Sequence, residues 1–198
     1  MDSRTRLVEA TQDLLWEQGY SATSPKDIMR RSGAGQGSMY HHFTNKQELA
    51  VEALERSALS MRHDAEKLLA ADGSACEIAT AYLRRQRDVL KGCRMGRMTF
   101  DADVLNTPEL IEPVKRTFVW LLEALTVLFE RGRDQGEFAA DIDARNLASL
   151  VVATVQGGYV LARATRDTDA FDAAVEGAAA LLRKATVPLT TEVSDHSE

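Results

Sequence analysis

The 198-residue chain has only two cysteines, Cys76 and Cys93, and they do not form a close-spaced metal or redox pair. The simple reading is a reduced protein of the cytoplasm. Histidine is scarce too, with four residues, two of them adjacent at His41 and His42. Neighbouring helical side chains point about 100° apart. No carboxylate or thiolate stands beside the pair, so it is not read as a metal site. The chain has no Ser-His-acid order, no glycine-rich phosphate loop and no metal-ligand spacing, so neither an enzyme nor a bound cofactor is expected. Its start is charged and lacks an apolar signal core. The longest uncharged run, 146–162, is 17 residues long and includes Asn146, Ser149, Thr154, Gln156, Gly157 and Gly158. A membrane span needs about 20 mostly apolar residues. A buried helix is the expectation, with no membrane partner. No internal repeat and no alternating stretch long enough for a strand is present.

What the chain does have is helical periodicity and an uneven charge. Apolar residues make up 44%, an ordinary share for a packed core. Net charge is −6. Residues 1–50 hold six basic and six acidic side chains, and the other 148 hold 18 basic and 24 acidic. A neutral head can approach phosphate, whereas an acidic body should not.

The stretch 24–43 organises the head. Ser24 is placed as an N-cap with Pro25 at the first helical position. Ile28 and Met29 face inward, and Gly33 ends that helix. A third helix begins near Gln36, with Met39 and Phe43 at i,i+4 pointing inward. Two short helices with a glycine-broken turn have the layout of a helix-turn-helix, whose second helix enters the major groove. A first helix over 4–18, ended by Gly19, forms the back wall. Asn45 and Glu48 predict a capping box opening a long fourth helix over 46–69. A fifth helix is expected over 74–91, then a kink at 92–96 and a short sixth helix ending near 105. A seventh follows from 107 to about 131, an eighth over 143–165 and a ninth over 169–184. The tail from 187 is polar. The fold class is all-α, with a head over 1–46 and a body over 47–198.

The recognition helix is the strongest candidate site. Gln36 can pair bidentately with adenine, and Ser38 can read a donor or an acceptor. Gly37 lets the backbone come close to the groove. Tyr40 and His41 suit phosphate contact, which positions without specifying. Ser24 and Lys26 at one helix start, and Lys46 at another, direct N–H groups and cations toward phosphate. The alternative for Tyr40 and His42 is packing within the head.

Gly19-Tyr20, Thr23-Ser24, Asp27-Ile28 and the run 33–43, followed by Lys46 and Leu49, resemble the TetR/AcrR family of one-component bacterial regulators. Ala34-Gly35 stands where the family often has Val-Ser, so the hydroxyl cap of the recognition helix is missing. The segment Gly92-Cys93 to Gly96 resembles the LmrA/YxaF-like and NemR-like branches. The resemblance implies nine helices, a homodimer, and repression at a palindromic operator relieved by a small, largely apolar effector. It also implies an effector cavity lined by Tyr82, Gln86, Met95, Met98, Phe100, Phe118, Leu122, Gln156 and Tyr159, with plain core packing as the alternative for each. Cys93 lies between Lys91 and Arg94, cations that favour a thiolate, so a thiol-based redox or electrophile sensor is the alternative reading. Small residues on the eighth and ninth helices (Ala148, Gly157, Gly158, Ala174, Ala178), beside Val151, Val155, Leu181 and Leu182, suggest a four-helix interface between two subunits.

Overall fold

The computed structural model describes residues 2–187; the expected polar tail lies outside them apart from Val187. Among the described residues there are ten helices and no strand beyond one isolated bridge between Phe138 and Thr186. They are α1 (Ser3–Gln18), α2 (Pro25–Ser32), α3 (Gln36–His42), α4 (Lys46–Leu69), α5 (Ala75–Arg84), α6 (Arg94–Met98), α7 (Ala102–Leu105), α8 (Pro108–Asp134), α9 (Ala144–Thr165) and α10 (Asp169–Ala185). The expected eighth and ninth helices are therefore α9 and α10. The expected single short sixth helix is two helices. Asp101 separates them, turning its carboxylate to accept from the Asp103 amide at 3.2 Å and so starting α7 afresh.

Local chemistry sets most boundaries. Ser24 and Asp27 cap α2 reciprocally, and Gly33 ends it in a left-handed conformation. The Asn45 side chain accepts from the Glu48 amide at 2.9 Å, while the Glu48 carboxylate accepts from Thr44 N, one residue earlier than a regular capping box. α8 runs through Pro113, whose missing N–H leaves a single carbonyl unpaired near the helix start.

The fifth helix is the clearest departure, ending at Arg84 rather than near 91. No glycine or proline stops it. The Arg87 guanidinium folds back and donates to the carbonyls of Tyr82, Leu83 and Arg85 at 2.6–2.8 Å. Those are helix-end carbonyls with no amide to accept from, and a cation is favoured at that end of the helix dipole. The residues after Arg84 then form an extended turn.

In the body α4, α8, α9 and α10 pack side by side, with α5 against α8 and α10. Leu83, Met95, Met98, Leu110, Leu125, Val151 and Leu182 lie at its centre, each fully buried. In the head Leu7, Ile28, Met39, Phe43 and Leu49 are buried and belong to the same hydrophobic cluster. Since α4 begins at Lys46 and continues into the body without a break, the expected division after residue 46 falls at the start of one continuous helix.

α9 is long and apolar enough, by length and composition alone, to cross a membrane, and only 33% of its most apolar window is buried within the chain. Its covered side packs on α10, where a Cβ on Gly158 would come 2.8 Å from the Phe171 ring. Gly158→Ala must therefore displace that ring and should lower stability by about 1–3 kcal/mol. Urea unfolding at fixed protein concentration checks this, and an unchanged midpoint would show that the helices separate freely.

Candidate nucleic-acid interface and effector cavity

The recognition helix α3 shows its outer face to solvent. Gln36, Gly37 and His41 are exposed and Tyr40 is 49% exposed, while Met39 is fully buried beneath them. A Cβ on Gly35 or Gly37 would meet nothing within 4 Å, so the backbone there is open to close approach. Gly35, the N-cap of α3, makes no side-chain cap bond, which leaves the first amides of the helix to solvent. Ser38 is half-buried and Lys26 is exposed.

Other candidates in the head are committed to the fold. The Ser24 hydroxyl caps α2 and donates to Asp27 at 2.6 Å. His42 is half-buried, with Nε2 2.9 Å from Ser3 Oγ, and ties α3 to the start of α1. Lys46 differs most from expectation. Its ammonium donates to the carbonyls of Tyr20 at 3.1 Å and Thr23 at 3.0 Å and sits 3.8 Å above the Tyr20 ring. Burial pushes its pKa down, and Asp103 and Asp101 oppose the shift. This lysine clamps α4 to the turn between α1 and α2; it is not a free surface cation.

Between head and body lies a cleft of about 340 Å³, lined by α1, α6, α9 and the segment before α6. Gln156, Tyr159, Cys93 and Gly92 line it and also line a smaller chamber of about 150 Å³ that contains Tyr82 and Phe118. So four of the expected effector residues, Tyr82, Phe118, Gln156 and Tyr159, come together. Phe100 stands at the mouth, 79% exposed. Met95 and Met98 are wholly buried and line neither space, because at i,i+3 they share the core-facing side of α6 while Gly96 and Arg97 turn to the cleft. Leu122 packs on the core one position from Leu121, which does line the small chamber. Gln86 is exposed beyond the end of α5, because Arg87 stops that helix two residues before it. Cys93 is buried, and its sulfur accepts from the Gly96 amide at 3.2 Å, so its thiol opens only toward these spaces.

Sequence reasoning missed the charged walls. Arg97 and Arg163 line the main cleft, and Arg85, Arg87 and Arg94 line the smaller chamber. Their density in sequence was visible, but which way they face depends on where α5 ends. Missed as well was the seam between head and body. Trp16 donates its indole N–H to the Gly92 carbonyl at 2.9 Å, with the Arg94 guanidinium 4.0 Å from its ring. The Ser21 amide and hydroxyl both donate to Asp101, at 2.8 and 2.5 Å. Among the described residues no cluster of three metal-ligating side chains occurs.

Comparison with known proteins decides the family. Residues 7–53 match the model of bacterial regulatory proteins of the tetR family, and residues 73–178 match that of the tetracyclin repressor-like C-terminal domain. The chain belongs to the TetR family. Its members bind DNA operators and small-molecule effectors and act as homodimers, and this TetR-family chain is a DNA-binding transcriptional regulator. It is 25% identical to the uncharacterized HTH-type transcriptional regulator YxaF of Bacillus subtilis, over 92% of this chain and 96% of that one. It is also 25% identical to the HTH-type transcriptional regulator LmrA of the same organism, over 84% and 89%. A TetR transcriptional regulator from Chloroflexus aurantiacus superposes with a TM-score of 0.83 at 27% identity, over 93% of this chain and 96% of that one.

Lys46→Met should lower the stability of the protein by about 1–3 kcal/mol in urea unfolding, through its two lost carbonyl bonds. The salt dependence of DNA binding should stay as it was. A salt slope reduced by about one with stability unchanged would make Lys46 a phosphate contact instead.

Proposed function

We propose that the protein is a repressor that two subunits seat on a palindromic operator and that a small, mostly apolar effector releases. One observation carries the reading: the segment 91–103 forms a wall of the cleft and also grips the head. Gly92, Arg97 and Asp101 line the cleft. Gly92 and Asp101 hold Trp16 and Ser21 of the head. An occupant that moves this wall moves α1 with it, and α1 is the back wall of the recognition helix. Release requires that the effector bind the DNA-free arrangement better than the bound one; otherwise the equilibrium does not shift. The natural division is a DNA-reading head over 1–46 and an effector and dimerisation body over 47–198, working in the cytoplasm.

In this reading Gln36, Gly37 and Ser38 read bases. Tyr40, His41 and Lys26 contact phosphate, and Ser24 positions α2. For the dimer, most of the stripe expected from sequence is spent inside the subunit, since Ala148, Val151, Val155, Gly158, Ala178 and Leu182 are buried. The opposite faces of α9 and α10 remain. Ser149, Ala153, Gly157 and Leu161 on α9, with Ala173, Gly177 and Leu181 on α10, are exposed and carry no charge. A Cβ on Gly157 or Gly177 would meet nothing within 4 Å, which suits close approach of a second copy. Four such helices form the interface, and the two heads then lie one DNA turn apart, about 34–36 Å. Cys93 as a thiol sensor keeps one favouring observation, its place on the wall of both spaces. Cys93→Ser would then abolish a response to electrophiles and leave DNA binding intact.

Operator fragments selected by the purified protein from random DNA allow the test. Tyr40→Ala should weaken operator binding about fivefold or more, the worth of one hydrogen bond of about 1 kcal/mol. Gln36→Ala should relax preference at one base pair by about 1–3 kcal/mol. Undiminished binding by both variants would overturn the assignment of α3. Leu181→Glu should halve the molar mass measured by light scattering and cost operator affinity; an unchanged mass would move the interface elsewhere.

A further inference from the structure

We propose that the cleft between head and body binds an organic acid, with an apolar body against Phe100, Tyr159 and Val160 and a carboxylate held by Arg97 and Arg163. The proposal rests on the effector reading above and names the chemical class of the ligand.

The charge around these spaces is the reverse of the charge on the chain. The protein carries a net −6, yet the two adjoining spaces are lined by five arginines and two aspartates. Both aspartates already have partners, although Asp101 still offsets part of the cost at Arg97. Asp88 lies 3.8 Å from the Lys91 ammonium. Asp101 accepts two hydrogen bonds from Ser21 and one from the Asp103 amide. Of the arginines, Arg94 alone has a carboxylate, Asp13 at 3.6 Å. Arg87 donates to backbone carbonyls and lies against the Tyr82 and Phe171 rings, and Arg85 lies over the Tyr82 ring. Among the described residues Arg97 and Arg163 make no ion pair within 4 Å.

Burying a cation without a counter-charge is costly. Here the cost is visible atom by atom. The Nε atoms of Arg85, Arg87 and Arg97 are all buried without a hydrogen-bond partner. Native proteins leave few such groups, and a bound ion is one of the usual reasons for them. Burial pushes the Arg97 guanidinium down from its usual range, the neighbouring Arg163 pushes it the same way, and Asp101 opposes them in part. The two cations therefore repel each other across the cleft, and an anion between them relieves both. A guanidinium pair matches a carboxylate in shape as well as charge.

The rest of the cleft fits an acid with an apolar body. Burial raises the Tyr159 hydroxyl to about 12, so it stays protonated and can donate. Gly96 makes room for the Gln156 amide, which a Cβ at that position would overlap. A volume of about 340 Å³ is at the small end of ligand pockets. A cationic ligand would face the same repulsion that Arg97 and Arg163 already have. The site also bears on release, because a carboxylate on Arg97 competes with Asp101, the residue that holds Ser21 of the head.

Calorimetric titration of the whole protein without DNA tests this with two matched pairs, octanoate against octanamide and 1-naphthoate against 1-naphthamide, at neutral pH. At least one acid should bind about tenfold more tightly than its amide. Arg97→Gln with Arg163→Gln should remove that preference by weakening the acid and leaving the amide within about twofold, whereas the paired Lys variants should retain it. If the double Gln variant does not fold by circular dichroism, Arg163→Gln alone serves, since Arg163 is exposed on its outer side. Amides that match their acids, acids that do not bind at millimolar concentration, or an acid preference that survives both Gln substitutions would each overturn the proposal. Operator release, followed separately by fluorescence anisotropy, distinguishes the two readings. Arginine-dependent binding of an acid with the operator still held defeats the release reading and leaves the acid site standing. Release by a neutral compound that is indifferent to Arg97 and Arg163 defeats the acid site and leaves the release reading standing.

Discussion

The grip of the segment 91–103 on α1 is the contact on which the rest of the molecule depends. Three short helices cannot hold a core by themselves, and α1 is the only long wall the head has. That wall is fastened to α4 by Arg4 on Glu52 and Gln12 on Ser57, and to the segment 91–103 at two further points. Trp16 reaches the Gly92 carbonyl with Arg94 stacked on its ring, and Ser21 is held by Asp101. The last two fastenings come from the segment that borders the cleft. A head tied only to α4 would follow that helix alone. One fastened at α4 by Lys46 and at α1 by this segment has its orientation set by the body.

Charge is sorted to the same plan. The head's basic side chains are largely paired within the protein: Arg4 with Glu52, Arg30 with Asp27 and Arg31 with Glu17. Exposed pairs of this kind add little stability, but they leave polar uncharged groups as the main feature of the recognition face. The body is acidic outside and arginine-lined inside. An acidic exterior turns away from phosphate, so the head is the part that meets DNA. The arginines that line the two spaces are a separate matter, since they are partly withdrawn from water and, among the described residues, only Arg94 has a carboxylate within ion-pair distance.

Much of the fold could be read in the chain itself. Ser24 with Pro25, Gly33, and Asn45 with Glu48 mark helix ends by local chemistry alone, and the boundaries of α2 and α4 lie where those signals stand. The face of the recognition helix was legible for the same reason, since a short helix with Met39 and Phe43 inward must turn Gln36, Gly37 and Tyr40 outward. Which face of α9 and α10 is left free for a second subunit was not legible. Stripes of small residues run along both sides of α9 and α10, and periodicity alone does not say which side meets the chain's own core.

By itself the sequence determined the helices, the helix-turn-helix and its outward residues, because periodicity, caps and glycines act over a few residues. Tertiary structure alone decided the end of α5, the clamp role of Lys46 and the arginine walls of the cleft. Arg87 stops α5 by folding its side chain back onto carbonyls that any helix of that composition would otherwise have continued to use. Once the chain turns there, Arg85 and Arg87 come to line the smaller chamber, beside the cleft that Arg97 and Arg163 line. Their charges then meet across space between residues far apart in sequence, which no local pattern records. The same folding gives the segment 91–103 its two faces, one toward the cleft and one holding Trp16 and Ser21 of the head.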